Sequence, residues 1–193
     1  MRSAKASLGI ALFTGFLCVW AGIAAAGKPH DRNGFFIGFG LGAGSAGWEW
    51  GSETLGGDES TGGGAGNFRI GGAIRNDITL GLESSAWVRE EDNVTVTLSA
   101  ATFGTTFFPG NMGLYVRGGI GFGSASSEAD FGELTLSKTD SGFAFLVSTG
   151  YEFRLSDKFA LGPQVEFVYL GLDGELIDTA HAVNGSLQFN WYW

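Results

Sequence analysis

The sequence predicts an all-β fold: an eight-stranded antiparallel transmembrane up-and-down β-barrel preceded by a signal peptide. Three observations carry this expectation. Apolar side chains recur at every second position in eight separate segments, a spacing that lines one face of a strand and no stripe of a helix. Within those segments the apolar face is bulky and aromatic, while the other carries glycine, small polar groups and a few charges. An export-type leader opens the chain, and no later stretch approaches the ~18 unbroken apolar residues of a spanning helix.

The leader is expected over residues 1–26. Arg2 and Lys5 precede an apolar run from Leu8 to Ile23, which closes on Ala24, Ala25 and Ala26, a small-residue cleavage site. A retained anchor fits less well, because the run is short and is interrupted by Thr14 and Gly15. Cys18 leaves with this segment, and the residues before it do not make a lipoprotein signal. A linker is expected over 27–33 and the barrel over 34–193.

The first strand alternates Phe35, Ile37, Phe39, Leu41 and Ala43 with Gly38, Gly40, Gly42 and Gly44. The second places Phe68, Ile70 and Ile74 opposite Asn67, Arg69 and Ala73. In the third, Ile78, Leu80, Leu82 and Val88 alternate with Thr79, Gly81, Glu83 and Ser85. Further runs begin near Val94, Leu114, Gly142 and Phe159. The eighth closes the chain with Val183, Leu187, Phe189, Trp191 and Trp193 on one face and Asn184, Ser186, Gln188, Asn190 and Tyr192 on the other. The fourth strand is ambiguous. Val94, Val96, Leu98 and Ala100 share one parity, whereas Phe103 and Phe107 take the other, so either two aromatics point inward or a bulge lies between Ala100 and Phe103.

Eight strands enclose room for side chains only, and Phe, Trp and Leu at every inward position would overfill that space. Turned outward into lipid, the same residues need no interior volume, and the small and charged set fills the lumen. Open sheet edges in hydrocarbon would leave N–H and C=O groups unpaired at several kcal/mol each, so the sheet must close.

Short connections are expected at Arg75-Asn76-Asp77, Phe108 to Gly113 and Ser156-Asp157-Lys158, and longer or more acidic ones at Gly51–Gly64, Glu90–Asn93, Ser126–Ser141 and Gly171–Ala182. Both termini lie at the short-turn end. A three-residue turn centred on Asn76 pairs Ile74 with Ile78, Gly72 with Leu80 and Ile70 with Leu82, and sets Arg69 across from Glu83. By the same alternation Arg117, Glu152 and Glu166 face the lumen. A salt-bridged core is expected in which Arg69–Glu83 is one pair, because a lone buried charge is costly. Such a core fills and rigidifies the barrel. A gated ion path and a catalytic carboxylate pair are the other accounts of it.

The signal, the GFFIGFGLG opening, the GLYVRGGIGFG and STGYEFRL strands and the terminal LQFNWYW together resemble the small outer-membrane β-barrel family, the OmpA-type transmembrane domain and OmpX- and NspA-like single-domain barrels. That resemblance covers the mature chain and is architectural. It implies the cell outer membrane with both termini periplasmic, and contact with outer-membrane lipid and lipopolysaccharide. It also implies delivery by the barrel-assembly machinery, whose recognition signal Leu187, Phe189, Trp191 and Trp193 resemble. Nothing follows Trp193, so the peptidoglycan-binding domain of full-length OmpA-type proteins has no counterpart in the sequence and wall tethering is not implied.

The outer loops carry Glu53, Asp58, Glu59, Glu90, Glu91, Asp92, Glu128, Asp130, Glu133, Asp140, Asp173, Glu175 and Asp178 against Lys138. These acids either keep the loop tips solvated or bridge lipopolysaccharide phosphates through Mg²⁺ or Ca²⁺, though none reproduces a calcium-loop spacing. Trp48, Trp50, Trp87, Tyr151, Tyr169, Trp191 and Trp193 fall near strand ends, where amphipathic rings suit the headgroup boundary; Trp48, Trp50 and Trp87 fit lumen filling as well.

Enzymes on such barrels, lipid A deacylases and phospholipases, are built around a His and Ser pair, and the deacylase pattern resembles H-x-S-N. This chain reads His181-Ala182-Val183-Asn184, with Val183 in the nucleophile's place; Ser186 is the nearest hydroxyl, and it faces the lumen. His30 belongs to the linker. No catalytic, cofactor-binding or metal residues are therefore assigned, and two histidines with one cysteine leave little for zinc or haem. A net charge of −9 argues against a nucleic-acid partner. The expected role is structural or surface-interacting through the acidic loops, with an extracellular ligand unidentified. A narrow or gated porin-like channel is the alternative, and a lipid-modifying enzyme the third.

Overall fold

The computed structural model describes residues 32–49, 61–91, 93–130, 135–173 and 178–193. The expected leader, Cys18, His30, Trp50, Glu53, Asp58, Glu59, Asp92, Glu133 and Glu175 lie outside the described residues. The strands are β1 (Gly34–Glu49), β2 (Thr61–Arg75), β3 (Ile78–Glu91), β4 (Val94–Phe107), β5 (Leu114–Asp130), β6 (Thr135–Tyr151), β7 (Phe153–Arg154), β8 (Phe159–Leu172) and β9 (Thr179–Tyr192). β7 continues β6 beyond Glu152 and pairs with the same neighbour, β8, so the nine segments make eight staves. Every neighbouring pair is antiparallel, and β1 pairs with both β2 and β9, closing the meander into a ring. Closure removes both sheet edges, which is the condition for a sheet whose outside is apolar.

Both ends of the ring's seam meet at the short-turn end. The Phe35 N–H donates to the Trp193 carbonyl at 3.2 Å and the Trp193 N–H returns to Phe35 at 2.9 Å. Gly34 begins β1 with φ 75°, a left-handed conformation, and a Cβ there would stand 2.2 Å from the Trp193 carbonyl oxygen, so only glycine fits.

Alternation divides the side chains between two environments. Phe122 is 80% exposed on the outside, in company with Leu41, Leu82, Phe103, Ile120, Phe143 and Phe167. The inside holds Arg69, Glu83, Arg117, Gln164, Glu166 and Asn190, all buried. A soluble barrel has the reverse arrangement.

Three local expectations are corrected. At the first short turn the pairing passes from Ala73↔Thr79 to Arg75↔Ile78, so Ile74 does not face Ile78. A tighter turn at Asn76-Asp77 leaves Ile74 as an extra residue, and the register beyond it, Gly72↔Leu80 and Ile70↔Leu82, is unaffected. In β4 the register is continuous with both neighbours, and neither expected arrangement occurs: Phe103 and Phe107 face outward while Leu98 and Ala100 face inward. The chain satisfies outward aromatics along its lower part and inward apolar groups along its upper part on one unbroken strand. The segment expected as a loop at Ser126–Ser141 is instead an extension of the β5–β6 hairpin, paired out to Asp130↔Thr135. Backbone pairing beyond the apolar band does not need apolar side chains, so polarity alone did not mark where the strands end. Within the expected linker 27–33, Arg32 is fully buried and belongs to the barrel interior.

Candidate functional site

Beyond the first inward residue at the mouth, the inward residues of β3, β4, β8 and β9 change from polar to apolar between the short-turn end and the loop end. On β3 the order is Thr79, Glu83, Ser85, Trp87, and on β8 it is Gln164, Glu166, Val168, Leu170, Leu172. β9 runs Asn190, Gln188, Asn184, Ala182, Ala180, and β4 runs Thr106, Thr102, Ala100, Leu98. The lumen is thus a polar column in the short-turn half, above a small cluster of Phe36, Ala160 and Tyr192 at the mouth, and a larger apolar cluster in the loop half. Trp48 packs against that larger cluster, and Trp87, at 1% exposure, is its largest member.

The column begins at the mouth with Arg32 and Glu152, both 0% exposed. The Arg32 guanidinium reaches two of the short turns and the break between β6 and β7. It donates to the Asn76 carbonyl at 3.4 Å, to the Met112 carbonyl at 2.9 Å and to Glu152 Oε2 at 3.3 Å, with its plane 3.4 Å from the Phe108 ring centroid. Its backbone N–H donates to Asn76 Oδ1 at 2.9 Å. The other Glu152 oxygen accepts from Tyr192 OH at 2.7 Å and from Asn190 Nδ2 at 3.0 Å. This arginine precedes the first strand and carries no periodic signal, so sequence alternation missed it; no motif would have found it.

Above the mouth, Arg69 and Glu83 are register partners, as the pattern of β2 and β3 required. Their side chains do not bond each other. Arg69 donates to Asn190 Oδ1, whereas Glu83 accepts from Arg117 Nη1 through both oxygens at 3.0 and 3.2 Å. Arg117 comes from β5 and competes successfully because its fork also reaches Thr106 Oγ1 at 3.0 Å and Gln164 Oε1 at 3.0 Å. Tyr115 OH donates to the same Gln164 oxygen at 2.9 Å. Glu166 accepts from Ser85, from Gln164 Nε2 at 3.1 Å and from Asn184 Nδ2 at 3.3 Å. The inward glycines of β1 make room for this traffic: a Cβ on Gly38 would lie 2.2 Å from Asn190 Oδ1.

Five expected lumen charges therefore sit in one polar column as two hydrogen-bonded networks: Arg69 with Glu152 through Asn190, and Arg117 with Glu83 and, through Gln164, with Glu166. Arg32 is added to the first, and the Arg69 pairing is redirected. Several of its buried atoms lack a protein partner, among them Arg69 Nε, Arg117 Nη2 and Thr102 Oγ1. A void of about 10 Å³ lined by Arg69, Glu83, Thr106 and Arg117 has room for a water there.

Leu187, Phe189, Trp191 and Trp193 lie on the outside of β9 along the closing seam. Phe39 of β1 stacks on Phe189 at 4.9 Å and on Trp191 at 5.4 Å, and Trp191 meets Phe159 at 4.8 Å. His181 faces outward, with its ring 6.5 Å from that of Phe167, while Ser186 faces inward and accepts from Gln188 at 2.9 Å. Opposite faces of one strand cannot form a nucleophile–base pair. Among the described residues no group of three His, Cys, Asp or Glu is placed to hold a metal ion.

No family model matches the chain. No curated protein matches it either. Solved structures do. Neisserial surface protein A aligns over 84% of this chain and 99% of its own with a TM-score of 0.64 at 14% identity. Ail, the attachment invasion locus protein of Yersinia pestis, aligns over 83% of this chain and 98% of its own with a TM-score of 0.60 at 15% identity. A second structure of Ail, in complex with the heparin analogue sucrose octasulfate, gives a TM-score of 0.57. At such identities the likeness is one of fold. The chain has the eight-stranded antiparallel barrel fold of the small outer-membrane proteins.

Proposed function

We propose that the chain is an exported outer-membrane protein whose 1–26 segment is its leader, and that it serves the cell envelope as a filled barrel presenting acidic loops. The observation that carries this is the inverted polarity of a closed ring: Phe122, Phe103 and Phe143 outside, Arg69, Glu83 and Glu152 inside. Water is a poor solvent for that exterior and a bilayer core is a good one. Gly34 and Trp193 meet at the short-turn end, which supports both termini facing the periplasm. The outward aromatics of β9 fit a signal for the barrel-assembly machinery, and the apolar band fits outer-membrane lipid and lipopolysaccharide.

At the loop end Glu90, Glu91, Glu128, Asp130, Asp173 and Asp178 are exposed against Arg89 and Lys138. That rim repels a polyanion, so the sulfated ligand seen with Ail is not carried over to this chain. Bridging of lipid phosphates by divalent cations remains a property of the loops to measure: a rise in stability on adding Ca²⁺ to the refolded protein supports it. The packed lumen favours a scaffold over an open pore, and the opposed faces of His181 and Ser186 favour a role without chemistry.

The test is refolding from denaturant into lipid vesicles. Insertion, read as a heat-sensitive shift in gel mobility and quenching of tryptophan by membrane-embedded quenchers, is the expected result. A monomer that stays soluble in plain buffer with its tryptophans unquenched overturns the proposal.

A further inference from the structure

We propose that the barrel is shut by two closures in series, a removable ionic plug at the short-turn mouth and an apolar barrier in the loop half. The polar column between them is then a hydrated chamber that opens toward the short turns alone. This rests on the membrane-barrel reading above. The plug is Arg32. It belongs to no strand, yet its guanidinium is enclosed by Glu152, Phe108, the Met112 carbonyl and Asn76, so the mouth is stoppered by a side chain that the ring does not need for its own pairing. The barrier consists of Trp87, Leu98, Leu146, Val168, Leu170 and Leu172, all buried members of one apolar cluster.

Between the two, the chamber contains polar atoms that the protein leaves without partners. Arg69 Nε, Arg117 Nη2 and Ser148 Oγ are buried and unbonded, and a void large enough for one water adjoins the two arginines. Buried polar groups are satisfied in nearly all native proteins, and water is the partner when the protein supplies none. Among the described residues no comparable run of polar side chains crosses the apolar barrier, so a hydrated ion has nothing to replace its shell there and stops. Releasing Arg32 therefore admits small ions to the column without letting them through the barrel.

Ser148 provides the probe, since it faces the chamber at 2% exposure with its hydroxyl unbonded, and the leader carries the chain's one cysteine. A Ser148→Cys protein without residues 1–26 is refolded into vesicles and treated with silver ion, which is small enough to follow water to a thiol. With Arg32 in place the thiol is expected to react slowly from either side. In Arg32→Ala it is expected to react at least tenfold faster when silver is supplied to the short-turn side, and no faster from the loop side. In planar bilayers the same variant is expected to show no conductance steps. Equal rates with and without Arg32 overturn the plug, while fast reaction from the loop side or stable conductance steps overturn the barrier. If Arg32→Ala does not refold, Glu152→Gln removes the counter-charge while keeping the shape, and a smaller acceleration with the same sidedness is expected; no acceleration there overturns the plug as well. Insertion itself is scored by gel mobility, so failure of the membrane reading is distinguished from failure of this one.

Discussion

Replacing Glu152 by Gln is the sharpest test of the mouth. The carboxylate is fully buried and accepts from Arg32, Tyr192 and Asn190. The amide keeps the shape but removes the charge facing Arg32, and its NH₂ confronts donors where an oxygen stood. The Arg32 guanidinium then remains enclosed with only carbonyl acceptors at Met112 and Asn76. Removing one partner of a buried pair costs about 3–5 kcal/mol. Replacing both partners by apolar groups of similar size is close to neutral, because no uncompensated charge is left behind. Glu152→Gln is therefore expected to destabilise by about 3 kcal/mol or more, and adding Arg32→Met is expected to recover most of that loss. The assay is urea unfolding of the refolded protein in detergent micelles, followed by tryptophan fluorescence, for the parent, both single variants and the double. A Glu152→Gln protein within ~0.5 kcal/mol of the parent, or a double variant whose loss is the sum of the singles, refutes the argument that the pair acts as a unit.

Three further outcomes are expected. Phe122→Arg places a charge at the most exposed of the large apolar side chains among the described residues and is expected to lose about 2–4 kcal/mol in a bilayer, a loss that shrinks sharply for refolding in a water-exposed setting; near-neutral behaviour in vesicles contradicts the outward band. Arg117→Ala is expected to destabilise more than Arg69→Ala in the same urea assay, since Arg117 bonds Glu83, Gln164 and Thr106 while Arg69 bonds Asn190, and the reverse order contradicts the redirected pairing. Gly34→Ala is expected to cost about 1–3 kcal/mol from its left-handed backbone, with additional loss from the clash at Trp193, and to appear as faster unfolding of the seam by hydrogen exchange at Phe35 and Trp193; unchanged exchange contradicts it.

The sequence by itself determined the strand count, the antiparallel ring and the faces of the alternating residues of β2, β3 and β9, because side-chain direction in a strand has period two and the two faces differ in polarity. It brought Arg69 opposite Glu83 for the same reason. It did not determine which carboxylate each arginine holds, since a lumen lets side chains from β5 reach those of β3 across the ring, and Arg117 has more acceptors there than Arg69. Nor did alternation resolve β4, where the inward set itself changes from polar to apolar midway, so one parity carries both Thr106 and Leu98. Arg32 lay beyond any periodic rule. Its partners are Asn76 and Met112 on two short turns and Glu152 between β6 and β7, and only closing the barrel brings those three places around one point.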